Sequence, residues 1–323
     1  IGSNVFVYPT NHILKIFYLW NVYKIAKKIL VVSGYWLITA QDPFESGLAG
    51  WMLKKIYKIP LQIQIHTDFL SPYFWKESFI NKLRVILAKF LIPRADSIRV
   101  VSQRIKDSLA YNLQLTINNI MVLPIFIDTD SIKNAPIKTD LHNKYPQFDF
   151  IILMASRLTK EKNISLAIEA MAELVKKYPK LGLIICGEGL ESNNLKLKTY
   201  NLKLNASVKF EGWLADLPSY YKTADLFLLT SNYEGYGRSV IEAMAGDLPV
   251  VITDIGLAVE TVINGENGIV VSVGDKNALI DSVGSLIIDK SRRDRMSKDV
   301  LKTIEKLITK EQYLKLYKES FNF

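Results

Sequence analysis

The sequence predicts an α/β protein built from two parallel-sheet domains, and three observations carry that expectation. Short apolar runs alternate with amphipathic segments along most of the chain, the pattern of repeated βαβ units. These units form two sets, separated by a polar, weakly periodic stretch over 128–147 that contains Pro136 and Pro146 and reads as a linker. A chain of 323 residues, 49% hydrophobic and 23% charged, is long and apolar enough for two cores.

In the first set, strands are expected over 35–40, 61–66, 97–102 and 120–123, with helices over 45–57, 77–92 and 103–111. The 61–66 run alternates apolar and polar residues and ends at His66. Helix 77–92 places Phe79, Ile80, Leu83, Leu87, Phe90 and Leu91 on one face, with Asn81, Lys82 and Lys89 on the other. Its ordinary reading packs the apolar face on the sheet and leaves the lysines in water. A basic amphipathic helix can also rest on an anionic membrane.

The second set places strands over 148–155, 181–186, 207–210, 225–230, 249–253 and 268–271. Helices fall over 163–178, 191–203, 216–222, 238–245 and 275–289, and two more, 291–308 and 311–320, close the chain. Domains are therefore expected at 1–147 and 148–305, followed by a terminal segment, 306–323.

Composition removes several classes. One cysteine, Cys186, rules out an internal disulfide framework, and it sits in an apolar strand as a core residue. Three scattered histidines offer no zinc-ligand spacing. No secretory leader and no uninterrupted apolar run of about 18 residues is present, so a cytoplasmic location is expected. The net charge of +9 is lopsided: residues 1–147 hold 18 Lys and Arg against 9 Asp and Glu, while the remainder is balanced at 23 each. The first half is thus expected to meet an anionic surface or substrate. Its lysines lack the base-stacking pattern of an RNA-binding sheet, so no nucleic-acid partner is expected.

The chemistry-bearing segment follows the strand at 225–230. Glu234-Gly235-Tyr236-Gly237 leads into a helix that begins near Arg238 and Ser239 and carries Glu242 eight residues after Glu234. Ligands of open α/β sheets bind at this strand edge, and free N–H groups at a helix start suit a phosphate. Arg157 and Lys162 follow the first strand of the second set, where an arginine fork and a lysine point charge can hold a diphosphate. Lys160 reads as solvated. Gly187-Glu188-Gly189 turns after another strand, but with Ser192 in the last place it fails the dinucleotide fingerprint. No Asp-x-Asp pair stands where a metal-dependent transferase would need one.

Glu234 with its Gly-x-Gly, and Glu242-Ala-Met-Ala-Gly-x-x-Pro-Val-Val after it, resemble the E-x7-E signature of GT4-family retaining glycosyltransferases. That resemblance implies the GT-B fold, two Rossmann-like domains facing each other across a cleft, with the terminal helix crossing back to the first. It implies a nucleotide-sugar donor, a UDP-sugar or GDP-mannose, with no cofactor and no metal. Arg157 and Lys162 would clamp the diphosphate, Glu234 bind sugar hydroxyls and Glu242 the ribose. Gly187, Glu188, Gly235, Tyr236, Gly237, Arg238 and Ser239 would line the donor, and Trp213 would border the base or else pack.

His66 matches the family's histidine near the reacting groups, and Asp68 is a weaker candidate for acceptor contact. The acceptor is expected to be a glycan or lipid-linked, in surface polysaccharide or glycolipid synthesis, with peripheral contact at the inner face of the plasma membrane. The alternatives are a donor-binding but inactive GT-B protein and a GT-B epimerase. The chain opens with Ile-Gly-Ser-Asn-Val-Phe-Val-Tyr-Pro, which looks like a later strand of the family. The usual first strand and its glycine-rich loop are therefore expected to be missing, leaving the N-terminal domain incomplete.

Overall fold

A computed structural model describes residues 18–33, 37–114 and 120–321. The strand reading of residues 1–9 lies outside them. The chain divides into two compact units, Ile1–Pro124 with Leu314–Phe323, and Ile125–Tyr313.

The first unit holds a four-stranded parallel sheet in sequential order: β1 (Ile38–Ala40), β2 (Leu61–Ile65), β3 (Ser97–Val100) and β4 (Ile120–Val122). Every residue of β2 is buried, including Gln62 and Gln64, although the alternation reads as a half-exposed strand. The polar face is covered by the end of the chain. Gln62 Nε2 donates to the Ser320 carbonyl at 2.5 Å and Gln64 Nε2 to Tyr317 Oη at 3.3 Å. Arg99 Nη1 donates to Gln64 Oε1 at 2.7 Å, and its guanidinium lies 4.9 Å from the Tyr317 ring centre. Buried amides are tolerated here because each finds a partner.

Helix Phe79–Leu91 departs from its expected orientation. Asn81, Val85, Ala88 and Leu91 face inward, whereas Phe79, Ile80, Leu83, Ile86 and Phe90 face water. Asn81 is held in by a 3.1 Å bond from its amide to the Phe74 carbonyl. Apart from Leu91, the inward residues are smaller than the apolar ones left outside.

The second unit holds six parallel strands: β5 (Phe150–Ala155), β6 (Leu181–Cys186), β7 (Val208–Gly212), β8 (Leu226–Leu229), β9 (Val250–Thr253) and β10 (Gly268–Val271). Their order is β10-β9-β8-β5-β6-β7. The chain therefore runs outward from β5 through β7, then returns to the other side of β5 and runs outward through β10. Strands β5, β6, β8 and β9 are buried along their whole length, as expected of a sheet covered on both faces.

Residues 125–147 are not a free linker. They contain helices Thr129–Lys133 and Leu141–Lys144 and are bonded onto the second unit. Lys138 N donates to Ser219 Oγ at 2.9 Å, and Lys144 Nζ to Glu211 Oε2 at 2.5 Å. Prolines and polar residues mislead here because polar bonds and two isolated buried residues, Ile132 and Leu141, attach the segment in place of an apolar stripe.

Candidate functional site

The reversal of strand order puts a topological switch point between β5 and β8, where loops leaving adjacent strands diverge and open a crevice. The loop after β5 carries Arg157 and Lys162, and the loop after β8 carries Glu234. Lys162 Nζ bonds directly to Glu234 Oε1, both side chains being close to buried at 13% and 14% exposure. Ser231 Oγ adds a 2.9 Å bond to the same carboxylate oxygen. The two loops are tied beneath this pair. Thr230 Oγ1 donates to the carbonyls of Lys162 and Asn163, at 3.1 and 3.0 Å, and Asn232 N to the Glu161 carbonyl at 2.7 Å.

Arg157 stays on the same loop but is 78% exposed, its Nη2 3.5 Å from Glu161 Oε1. Gly237 caps helix Arg238–Ala245 at φ +92°, a conformation suited to glycine, and so turns the chain into the helix directly after Glu234. Arg238 is exposed and Ser239 half-buried. Glu242 is fixed from two sides. Tyr221 Oη donates to its Oε2 at 3.1 Å, and Arg238 Nη2 lies 3.4 Å from its Oε1. Burial, reinforced by the neighbouring Glu242 charge, pushes the Tyr221 phenol well above its ordinary range, so it remains a neutral donor.

Gly187 and Gly189 let the loops after β6 and β5 touch. A Cβ on Gly187 would stand 1.9 Å from the Ser156 carbonyl oxygen, and one on Gly189 2.3 Å from that of Leu158. Glu188 is exposed on that turn. Trp213, just past β7, is 73% exposed, which excludes the packing alternative. Tyr236 is buried, and burial lifts its phenol to about 12, so its ring serves the core while its backbone shapes the loop. Gly235 is likewise buried.

His66 and Asp68 lie in the first unit, immediately past β2. His66 Nε2 is buried with no hydrogen-bond partner among the described residues. Burial, then the nearby Arg99 charge, lowers its pKa below 6.5, with Asp42 opposing, so the imidazole is neutral at pH 7. Burial raises the Asp68 carboxyl, against Arg104 and local backbone N–H groups.

Three contributors escape the motifs. Ser231 and Tyr221 orient the two glutamates, and Gly256 brings the loop after β9 against Glu234. A Cβ on Gly256 would lie 2.8 Å from the Tyr236 carbonyl oxygen and 3.1 Å from Glu234 Cβ. Gly256 had a signal, a glycine just past a buried strand on the same sheet edge. Tyr221 had none, since its partner is distant in sequence.

Comparison with known proteins agrees with this fold. The profile for glycosyl transferases group 1 matches residues 138–303, and that for glycosyltransferase family 4 matches 2–131. The capsular polysaccharide biosynthesis glycosyltransferase CapM of Staphylococcus aureus is 27% identical over 81% of this chain and 70% of its own length. The α-monoglucosyldiacylglycerol synthase of Streptococcus pneumoniae is 29% identical over 67% of this chain, which spans about half (51%) of that relative. Among solved structures, Anabaena HepE in complex with UDP superposes with a TM-score of 0.78 at 24% identity, covering 93% of this chain and 81% of that one. Sucrose-phosphate synthase of Thermosynechococcus elongatus gives 0.83 at 22% identity, covering 97% and 81%. With two family profiles placed on its two parallel-sheet units, the chain belongs to the glycosyl transferases group 1, within the GT4 family and the GT-B fold.

Proposed function

We infer that the chain is a retaining glycosyltransferase that moves a sugar from a nucleotide-diphosphate donor to a glycan or lipid-linked acceptor, without metal or cofactor. The observation that carries this is the meeting of Lys162 and Glu234 at the switch point, beside the glycine-capped start of helix Arg238–Ala245. The UDP complex of HepE favours a UDP-sugar as donor, with GDP-mannose as the second candidate. CapM and the glucosyldiacylglycerol synthase favour surface polysaccharide or glycolipid as product.

As the bond from sugar C1 to the β-phosphate oxygen breaks, negative charge grows on the diphosphate. Lys162, Arg157 and the first N–H groups of helix Arg238–Ala245, those of Arg238 and Ser239, supply the positive field that stabilises it. An acceptor hydroxyl bonds to C1 on the same face, and its proton passes to the departing phosphate oxygen. Glu234 grips sugar hydroxyls and Glu242 the ribose, with Glu188 and Trp213 on the donor rim. Neutral His66 serves the reacting groups and Asp68 the acceptor, the roles the family resemblance implies.

The test is a donor screen with UDP-sugars and GDP-mannose on the full chain, with and without EDTA, reading product anomers by NMR. An α-linked product from an α-linked donor, formed equally fast in EDTA, is expected. An inverted anomer removes retention, and loss of turnover in EDTA removes metal independence. A changed sugar without transfer would favour the epimerase, and donor binding without turnover the inactive protein.

A further inference from the structure

The outward face of helix Phe79–Leu91 is unusual for a protein in water. Phe79, Leu83, Ile86 and Phe90 follow i, i+4, i+7, i+11 spacing and form one stripe, with Ile80 beside it, all exposed; Phe79 is 72% exposed. The stripe continues onto neighbouring elements. Phe90 meets the Trp51 ring edge-on at 5.4 Å, on helix Glu45–Tyr57, where Met52 and Ile56 are also exposed. Tyr73 and Trp75, on the preceding helix Pro72–Glu77, are exposed as well. A contiguous apolar surface of this kind marks an interaction site.

Its border decides the partner. From residue 72 to 94 there are five cationic side chains, Lys76, Lys82, Arg84, Lys89 and Arg94, against one acid, Glu77. Lys82 and Lys89 are exposed, one turn-pair apart, and both flank the stripe on the same side. The Arg94 guanidinium lies 3.8 Å from the Phe90 ring centre, setting a charge at the end of the stripe. Arg84 is engaged by Glu45 and is not part of this border. Apolar side chains bordered by cations along one side and at one end, with exposed tryptophan and tyrosine nearby, match the layered chemistry of an anionic lipid surface. A second copy of the chain fits less well, because a two-fold pairing of this face sets lysines against lysines.

We propose that the outward face of helix Phe79–Leu91, with its flanking lysines, docks the first unit on an anionic lipid bilayer. Phe79, Ile80, Leu83, Ile86 and Phe90 enter the headgroup–acyl boundary, while Lys76, Lys82, Lys89 and Arg94 meet lipid phosphates. No helix among the described residues is long and apolar enough to cross a membrane. The whole positive excess of the chain lies in its first 147 residues, which favours the same side. Nothing in this depends on which sugar is transferred.

The test is cosedimentation of the full chain with phosphatidylcholine vesicles, either pure or with roughly one third phosphatidylglycerol, at about 0.05 M and about 0.5 M salt. Binding is expected only with the anionic lipid, and weaker in high salt. The double variants Phe79→Glu with Ile86→Glu, and Lys82→Glu with Lys89→Glu, should each weaken it by more than about tenfold. The charge reversals are fully at the surface and keep the test decisive if the apolar replacements disturb the helix. Ile288→Glu, an exposed apolar position in the second unit, should leave binding unchanged. Equal binding to both vesicles, no binding, or equal loss in Ile288→Glu would overturn the proposal. So would a dimer that dissolves in the Phe79/Ile86 variant while vesicles are ignored.

Discussion

His66 shows how much one side chain can carry. It combines a buried, unpartnered Nε2 with a pKa held below 6.5, first by burial and then by Arg99. Below pH 6.5 the unfolded chain takes up a proton at this residue that the folded chain refuses. Its contribution to stability is thus complete above pH 6.5 and is lost as pH falls toward the folded pKa. His66→Asn should therefore lose less thermal stability than the parent between pH 6.5 and about pH 5. Calorimetry across that window checks it, and parallel slopes for the two proteins would contradict it. The Asp68 carboxyl, raised by burial, acts in the opposite direction and is common to both proteins.

At the scale of elements, the loops after β5 and β6 depend on backbone approach more than on side-chain chemistry. At Gly187, φ is +128° and an added Cβ would overlap the Ser156 carbonyl, whereas at Gly274, φ is +80° with open space around it. Gly187→Ala should cost about 2–4 kcal/mol, a fall of roughly 4–12 °C in Tm, and Gly274→Ala only about 1 kcal/mol. Equal melting points for the two variants would contradict this packing. Strands β5, β6, β8, β9 and β10 were legible in the sequence to within two residues, because parallel strands covered on both faces read as mainly apolar runs. Glu234 and Glu242 were legible from spacing, and their supports Ser231 and Tyr221 were not. Helix Phe79–Leu91 was legible as a helix but not in orientation, since periodicity finds an apolar face without saying which side the core takes. The 128–147 segment failed for a related reason: polar bonds to Ser219 and Glu211, invisible in one sequence, hold it down.

For the whole molecule, net charge and the proposed phosphate site part company. The surplus of positive charge lies in the first 147 residues, yet the groups suited to a diphosphate lie in the charge-balanced remainder. Under the proposed function, local geometry and not overall charge would place the donor: Lys162 and Arg157 stand on one loop, and Lys162 bonds to Glu234 just before the helix start at Arg238. The most direct measurement is calorimetric titration of UDP and of uridine into the parent chain and into Lys162→Ala. UDP should bind the parent far more tightly than uridine does. The substitution should weaken UDP by more than about tenfold while changing uridine by less than about twofold. Equal losses for the two ligands, or a parent chain that does not distinguish them, would contradict a diphosphate clamp at Lys162.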